Sequence, residues 1–263
     1  MADDTTNHKG ILILKGCQVG ISNFSISIDE KTGQLASSDI QIQTGLDMSI
    51  MWLRIMLDQL KRSDQSYQRL LEAHRADQDT KLGVEATKDF DASMQTIIAA
   101  GAAIDSFYVS LRDRTNIPQG TLDQWAGKKN KAGKRTARWK QQTEVFRRAF
   151  KVNGEQAKNL KTMISEITKY RDWATHPDSK MAQPVLYVEI QRGIDKRLFQ
   201  FRNHNARDIA FRTLRIISQC CQSKRPQNSE IEGYQKSLRP EIKRMVNVWH
   251  RRYKDDGKTP SIK

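Results

Sequence analysis

Apolar residues recur at three- and four-residue steps along most of this chain, the spacing of helices that bury one face. Residues 9–44 break that rhythm. Ile11–Leu14, Phe24–Ile28 and Ile40–Gln43 are short β-prone runs, and the last two alternate apolar with polar. Glu30–Gly33 and Ala36–Asp39 supply turns between them. The pattern predicts a small antiparallel β-sheet as an N-terminal extension over 1–45, a helical domain over 46–255 and a polar tail over 256–263.

Asp47 is placed to cap the first helix, with Trp52, Ile55, Met56, Leu60, Tyr67, Leu70 and Leu71 as its inward residues. A break is expected near Gly83, after which a second long helix runs to about Arg114. Its slim segment, Ala99–Ala103, lets another helix approach closely, within the chain or across a subunit contact. Asn116–Gly120 ends this helix, and Thr121 with Gln124 matches a capping box for a short turn. A basic amphipathic helix follows from about Thr136 to Lys151. Asn153 with Gln156 then opens a helix whose apolar stripe is Leu160, Met163, Ile164, Ile167, Tyr170 and Ala174. After Pro177 the chain is irregular, with a short strand at Val185–Ile190. Asn205 opens the next helix, where Arg202, Arg207, Arg212 and Arg215 intersperse with Ile209, Leu214, Ile216 and Ile217. Pro226 breaks it, and Ser229 with Glu232 caps the last.

Composition narrows the classes. With 37% apolar residues and a mean hydropathy of −0.71, the 263-residue chain builds a modest core under a heavily charged surface. No run approaches the ~18 apolar residues of a membrane span, and the acidic N-terminus is unlike a secretory signal, so no membrane and a cytoplasmic location are expected. Cys17, Cys220 and Cys221 are too few and too poorly spaced for a zinc site or a disulfide framework. His8, His74, His204 and His250 lack a metal-ligand neighbourhood, and neither a metal nor a cofactor is expected. Phosphate-loop, nucleophile-elbow and H-E-x-x-H patterns are absent from the sequence.

Charge adds a partner class. Residues 1–110 carry ten Lys and Arg against fifteen Asp and Glu; residues 111–263 carry thirty-five against fifteen. A surplus segregated in this way points to a polyanion, nucleic acid first. It is densest where Lys128, Lys129, Lys131, Lys134, Arg135, Arg138 and Lys140 surround Gly133 and Trp139. A glycine-containing basic loop wraps phosphates, while Trp139 either stacks on a base or packs inward; the plain alternative is a solvated basic surface.

The chemistry concentrates in Lys169–Pro177. Arg171 lies only about 20° around its helix from Leu160, on the apolar stripe. A guanidinium there cannot be neutralised, so it needs an anion or good acceptors. Asp172 follows at once, and His176 comes where Pro177 turns the backbone out of the helix, free to swing back towards Arg171. Histidine moves protons near neutral pH and arginine stabilises charge developing on a phosphate. The bland alternative is an Arg–Asp pair closing a helix end, with His176 as its C-terminal cap.

Arg171-Asp172-Trp173-Ala174-Thr175-His176 resembles the R-[N/D/H]-x-x-x-H signature of the HEPN superfamily, helical domains that include RNA-cleaving toxins and defence proteins. Ala99–Tyr108 resembles the first core helix of that family and Phe201–Ala210 its last, so the likeness covers about 90–222. The resemblance implies a mainly α fold, a HEPN-like helical bundle carrying the small N-terminal sheet. It also implies a metal-independent endoribonuclease that acts on RNA as a homodimer, with two motifs meeting across the interface. His176 would transfer the proton, Arg171 bind the phosphate and Asp172 position them. The alternatives are a non-catalytic HEPN-like module or scaffold, partnered with an antitoxin, a nucleotidyltransferase or nucleic acid, and an unrelated basic helical nucleic-acid binder.

Overall fold

The computed structural model describes residues 17–22, 26–28, 32–37, 41–128, 133, 135–176 and 183–253. The chain divides into two compact units, residues 1–47 and 48–263. In the first, β1 (Cys17–Ser22) and β4 (Gln41–Leu46) pair antiparallel, with Cys17 opposite Leu46 and Ser22 opposite Gln41. Between them in sequence, β2 (Ile26–Ile28) pairs antiparallel with β3 (Leu35–Ser37). Gly33 takes the left-handed conformation of the connecting turn, at φ +68°.

Two β expectations shift. Ile11–Leu14 lies outside the described residues, whereas β1 was not expected. Gly20 and Ser22 lower its intrinsic propensity, and pairing with β4 supplies what propensity lacks. Residues 35–37, where a turn was expected to begin, form a strand that pairs with β2, Leu35 being opposite Ile28 in the register.

The second unit is mainly helical and is built around one helix. α1 (Met48–Arg75) and α2 (Asp79–Arg112) form a long hairpin. The break lies at Ala76–Gln78, not near Gly83. Asp77 adopts a left-handed φ of 52°, which a short polar side chain tolerates, and Gln78 N–H closes the end of α1 on the Ala73 carbonyl at 3.0 Å. Gly83 stays helical beside the buried Leu82. On α1 the inward face is Leu53, Met56, Leu57 and Leu60 with Ser49, Ser63 and Ser66, while Ile55 is exposed.

α3 (Gln119–Trp125), α4 (Arg138–Ala149) and α5 (Gly154–Thr175) follow. The single strand expected at 185–190 is instead a hairpin of β5 (Val185–Tyr187) and β6 (Arg192–Ile194), turning through a left-handed Gln191. Then come α6 (Lys196–Gln200), α7 (Asn203–Gln222) and α8 (Ser229–Arg252). α8 is capped by Asn228, whose side chain accepts from Ile231 N–H at 3.0 Å, rather than by Ser229.

α2 is the hub, packing against α1, α4, α5 and α7. By length and composition it is apolar enough to span a membrane, but over half of that stretch is buried inside the helical unit. Ala99, Ala100, Gly101 and Ala103 are all buried by the chain's own helices, so the slim segment is used in packing within the chain. Phe107 beneath it meets Phe146 of α4 edge-on at 5.2 Å.

Nearer its start, α2 presents a buried carboxylate. Asp89 accepts from Ser63 and Ser93 hydroxyls at 2.6 and 3.0 Å, and from Asn203 N–H at 3.3 Å, one of the unpaired donors that open α7. The Asn203 side chain donates to Ser63 and Asp64, both at 2.8 Å, and Asp64 also accepts from Tyr253 at the end of α8. Four helices are thereby joined through buried and half-buried polar groups. Burial is the main reason that the Asp89 carboxyl is pushed up to about 6 from an ordinary 3.8, against the pull of its hydrogen bonds.

Asp89 thus holds its proton more tightly in the folded chain than in the unfolded one. Its contribution to stability is fully present below about pH 4 and is lost as pH rises through about 6. Asn mimics the protonated acid, since the serine hydroxyls can turn from donor to acceptor. Urea unfolding of wild type and Asp89→Asn across that range should show their stability difference changing by about 2–3 kcal/mol, the wild type gaining towards acid. A difference that stays flat with pH would mean that Asp89 titrates as an ordinary carboxylate.

Candidate functional site

The C-terminal turn of α5 is positioned by its own periodicity. Leu160, Ile164 and Ile167 are buried, and the same stripe carries Arg171 onto α2. Only a glycine lets it in: a Cβ added at Gly101 would lie 2.7–2.9 Å from Arg171 Cδ, Cβ and Cγ. The stem of the arginine therefore runs across the bare backbone of α2. One turn further along that helix, Asp105 receives the head, with Arg171 Nη1 donating to its Oδ2 at 2.9 Å. Arg171 Nε and Nη2 donate to Asp172 Oδ1 at 3.1 and 2.7 Å. The acceptors required by an arginine on an apolar stripe are these two carboxylates.

Asp105 also reaches α4. Its Oδ1 accepts from Arg138 Nε at 2.7 Å and from Gln142 Nε2 at 2.8 Å. Arg138 lies 4.1 Å from the ring centroid of Tyr108, whose hydroxyl donates to Gln141. Two arginines and two aspartates thus form a charge-balanced cluster tying α2, α4 and α5. The Arg171 side chain keeps 22% of its accessibility and Asp172 keeps 51%, so the cluster opens to solvent on the Asp172 side.

His176 ends α5 as its C-cap, with φ −133° and ψ 65°, and its N–H donates to the Asp172 carbonyl at 2.8 Å. Its side chain is exposed. Among the described residues no hydrogen bond or ion pair joins it to Arg171 or to the Asp172 carboxylate, so the structure brings Arg171 and Asp172 together and leaves His176 beside them. Pro177 lies outside the described residues.

The basic segment divides. Lys129, Lys131 and Lys134 lie outside the described residues. Lys128, Arg135 and Lys140 are exposed, with Lys128 Nζ 3.7 Å from Asp123. Arg138 is drawn into the Asp105 cluster, and Trp139 packs partly buried against the core, with Lys140 and Lys161 Nζ 5.4 and 5.8 Å from its ring centroid. Asp105 was not among the sequence candidates. Its signal was present, since it is the one charge in the apolar run Ala99–Tyr108, four residues after the glycine. No group of three or more His, Cys, Asp or Glu is placed to hold a metal ion among the described residues.

Comparison with protein families, with curated proteins and with solved structures returns no match for this chain.

The close approach at Gly101 has a measurable consequence. Gly101→Ala should destabilise the chain by roughly 1–2 kcal/mol, because a clash worth about 1–3 kcal/mol outweighs up to ~1 kcal/mol of gained helix propensity. The clash should ease when Arg171→Ala is made in the same chain, because Cγ and Cδ leave while Cβ at 2.9 Å stays, giving a coupling of about 1 kcal/mol in a double-mutant cycle. Additive losses would separate the two residues.

Proposed function

We propose that the chain is a metal-independent endoribonuclease of HEPN type, working as a homodimer in a toxin or defence setting. The observation that supports this most is Arg171, fixed by Gly101, Asp105 and Asp172 at the same helix end that carries an exposed His176. A positioned guanidinium and a solvent-accessible imidazole are the two groups that RNA transesterification needs. The substrate 2′-oxygen bonds to phosphorus as its proton is withdrawn, and the bond to the 5′-oxygen breaks as that oxygen gains a proton. His176 moves the proton, Arg171 stabilises the phosphate charge on its open side, and Asp172 holds the guanidinium plane. A second motif from the partner subunit supplies the other proton-transfer group. The products are a cyclic phosphate and a 5′-hydroxyl.

A second reading draws on the same cluster. Arg171 is already paired with two carboxylates, and His176 is not joined to it, as suits a non-catalytic module that docks an antitoxin, a nucleotidyltransferase or nucleic acid.

His176→Ala separates the two. A residue exposed at a helix end contributes little packing, so its loss should cost less than ~1 kcal/mol while abolishing cleavage of mixed RNA in EDTA. A folded variant that cuts as fast as wild type would leave the module. Light scattering at micromolar concentration should give twice the 30.3 kDa chain mass, and a monomer would remove the shared site.

A further inference from the structure

The inward stripe of α5 holds the cluster; its outward stripe is unassigned. Lys158, Lys161 and Lys169 are all exposed and fall, with Asp172 and the terminal His176, within an arc of about 80°. From Lys158 to His176 this line is about 27 Å long. The nearby acids are matched elsewhere: Glu166 pairs with Arg212 at 2.6 Å, and Asp172 with Arg171. Glu155 meets Lys158 at 3.4 Å, but both are highly exposed, and such a pair yields readily to a phosphate.

Two of the three ammonium groups lie over indole rings. Lys169 Nζ sits 4.6 Å from the ring centroid of Trp173, and Lys161 shares Trp139 with Lys140 from α4. Both indoles are partly buried against the core, so each is anchored on one side and partly open on the other. Cations spaced along a line, interleaved with fixed aromatic rings, match the chemistry of a single polynucleotide strand: phosphates along the lysines and bases against the rings. A surface that serves solubility alone has no need of anchored rings beneath its lysines.

We propose that this stripe of α5, Lys158, Lys161 and Lys169 with Lys140, Trp139 and Trp173, is the path along which single-stranded RNA is laid towards His176. The direction towards His176 rests on the ribonuclease reading; the binding surface does not.

The test uses the full-length protein and a short fluorescent single-stranded RNA with 2′-O-methyl groups throughout, which lacks the attacking hydroxyl. Anisotropy titrations between about 50 and 200 mM salt compare three proteins: wild type, Lys158→Gln/Lys161→Gln/Lys169→Gln, and a charge-matched control on α8, Lys236→Gln/Lys243→Gln/Arg251→Gln. The α5 variant should bind at least ~10-fold more weakly, and its log K against log salt slope should flatten by about 2, since each lost phosphate contact removes about 0.7. Circular dichroism checks that α5 persists. Equal losses in both variants, no loss in the α5 variant, absence of wild-type binding, or equal competition by duplex RNA would each overturn the proposal. Cleavage of ordinary RNA is read separately. Binding along the stripe without cleavage sinks the ribonuclease reading alone, whereas cleavage with unchanged affinity in the α5 variant sinks the stripe alone.

Discussion

The contact on which the helical unit turns is Arg171 lying across Gly101. An arginine on a stripe that also carries Leu160, Ile164 and Ile167 has to cross its neighbour at close range, and only a residue without a Cβ permits that. With the stem so placed, the guanidinium arrives at Asp105, and the same carboxylate gathers Arg138 and Gln142 from α4. One absent methyl group therefore permits the close approach of α5 to α2, and Asp105 ties α4 to both. The cluster is charge-balanced and only partly open to water, a combination that orients a guanidinium without leaving it uncompensated.

α2 carries a carboxylate at each of two contacts. Asp89 receives the first turn of α7 and is buried enough for its carboxyl to resist ionisation. Asp105 receives the last turn of α5, where arginines replace serines as partners. The environments differ in kind: hydroxyl and amide donors at the closed end, permanent cations at the open one. The closed contact is a buried link of the fold, whereas the open one keeps part of its charge at the surface.

Much of the helical architecture is legible in the residue pattern. The apolar stripes give α1, α2, α4, α5, α7 and α8 to within a few residues, since each buries one face and the 3.6-residue period records it. The breaks are less legible. Gly83 draws attention as a helix breaker, yet the chain turns at Asp77, where a short polar side chain accepts the left-handed conformation and Leu82 is kept for the core. β1 and β3 escape because strands depend on the partner opposite, which sequence does not display.

For the candidate site the division is similar. Helical phase and the chemistry of guanidinium are local properties, so the residues around Arg171 already place it inward, require acceptors there, and put Asp172 and His176 at its helix end. Which acceptors answer it depends on how the helices pack. Asp105 stands sixty-six residues away along the chain, and it reaches Arg171 only because α2 is slim at Gly101. Arg138, which the composition groups with a phosphate-binding loop, turns to the same carboxylate, since a fixed anion beside an aromatic ring holds a cation better than open water does.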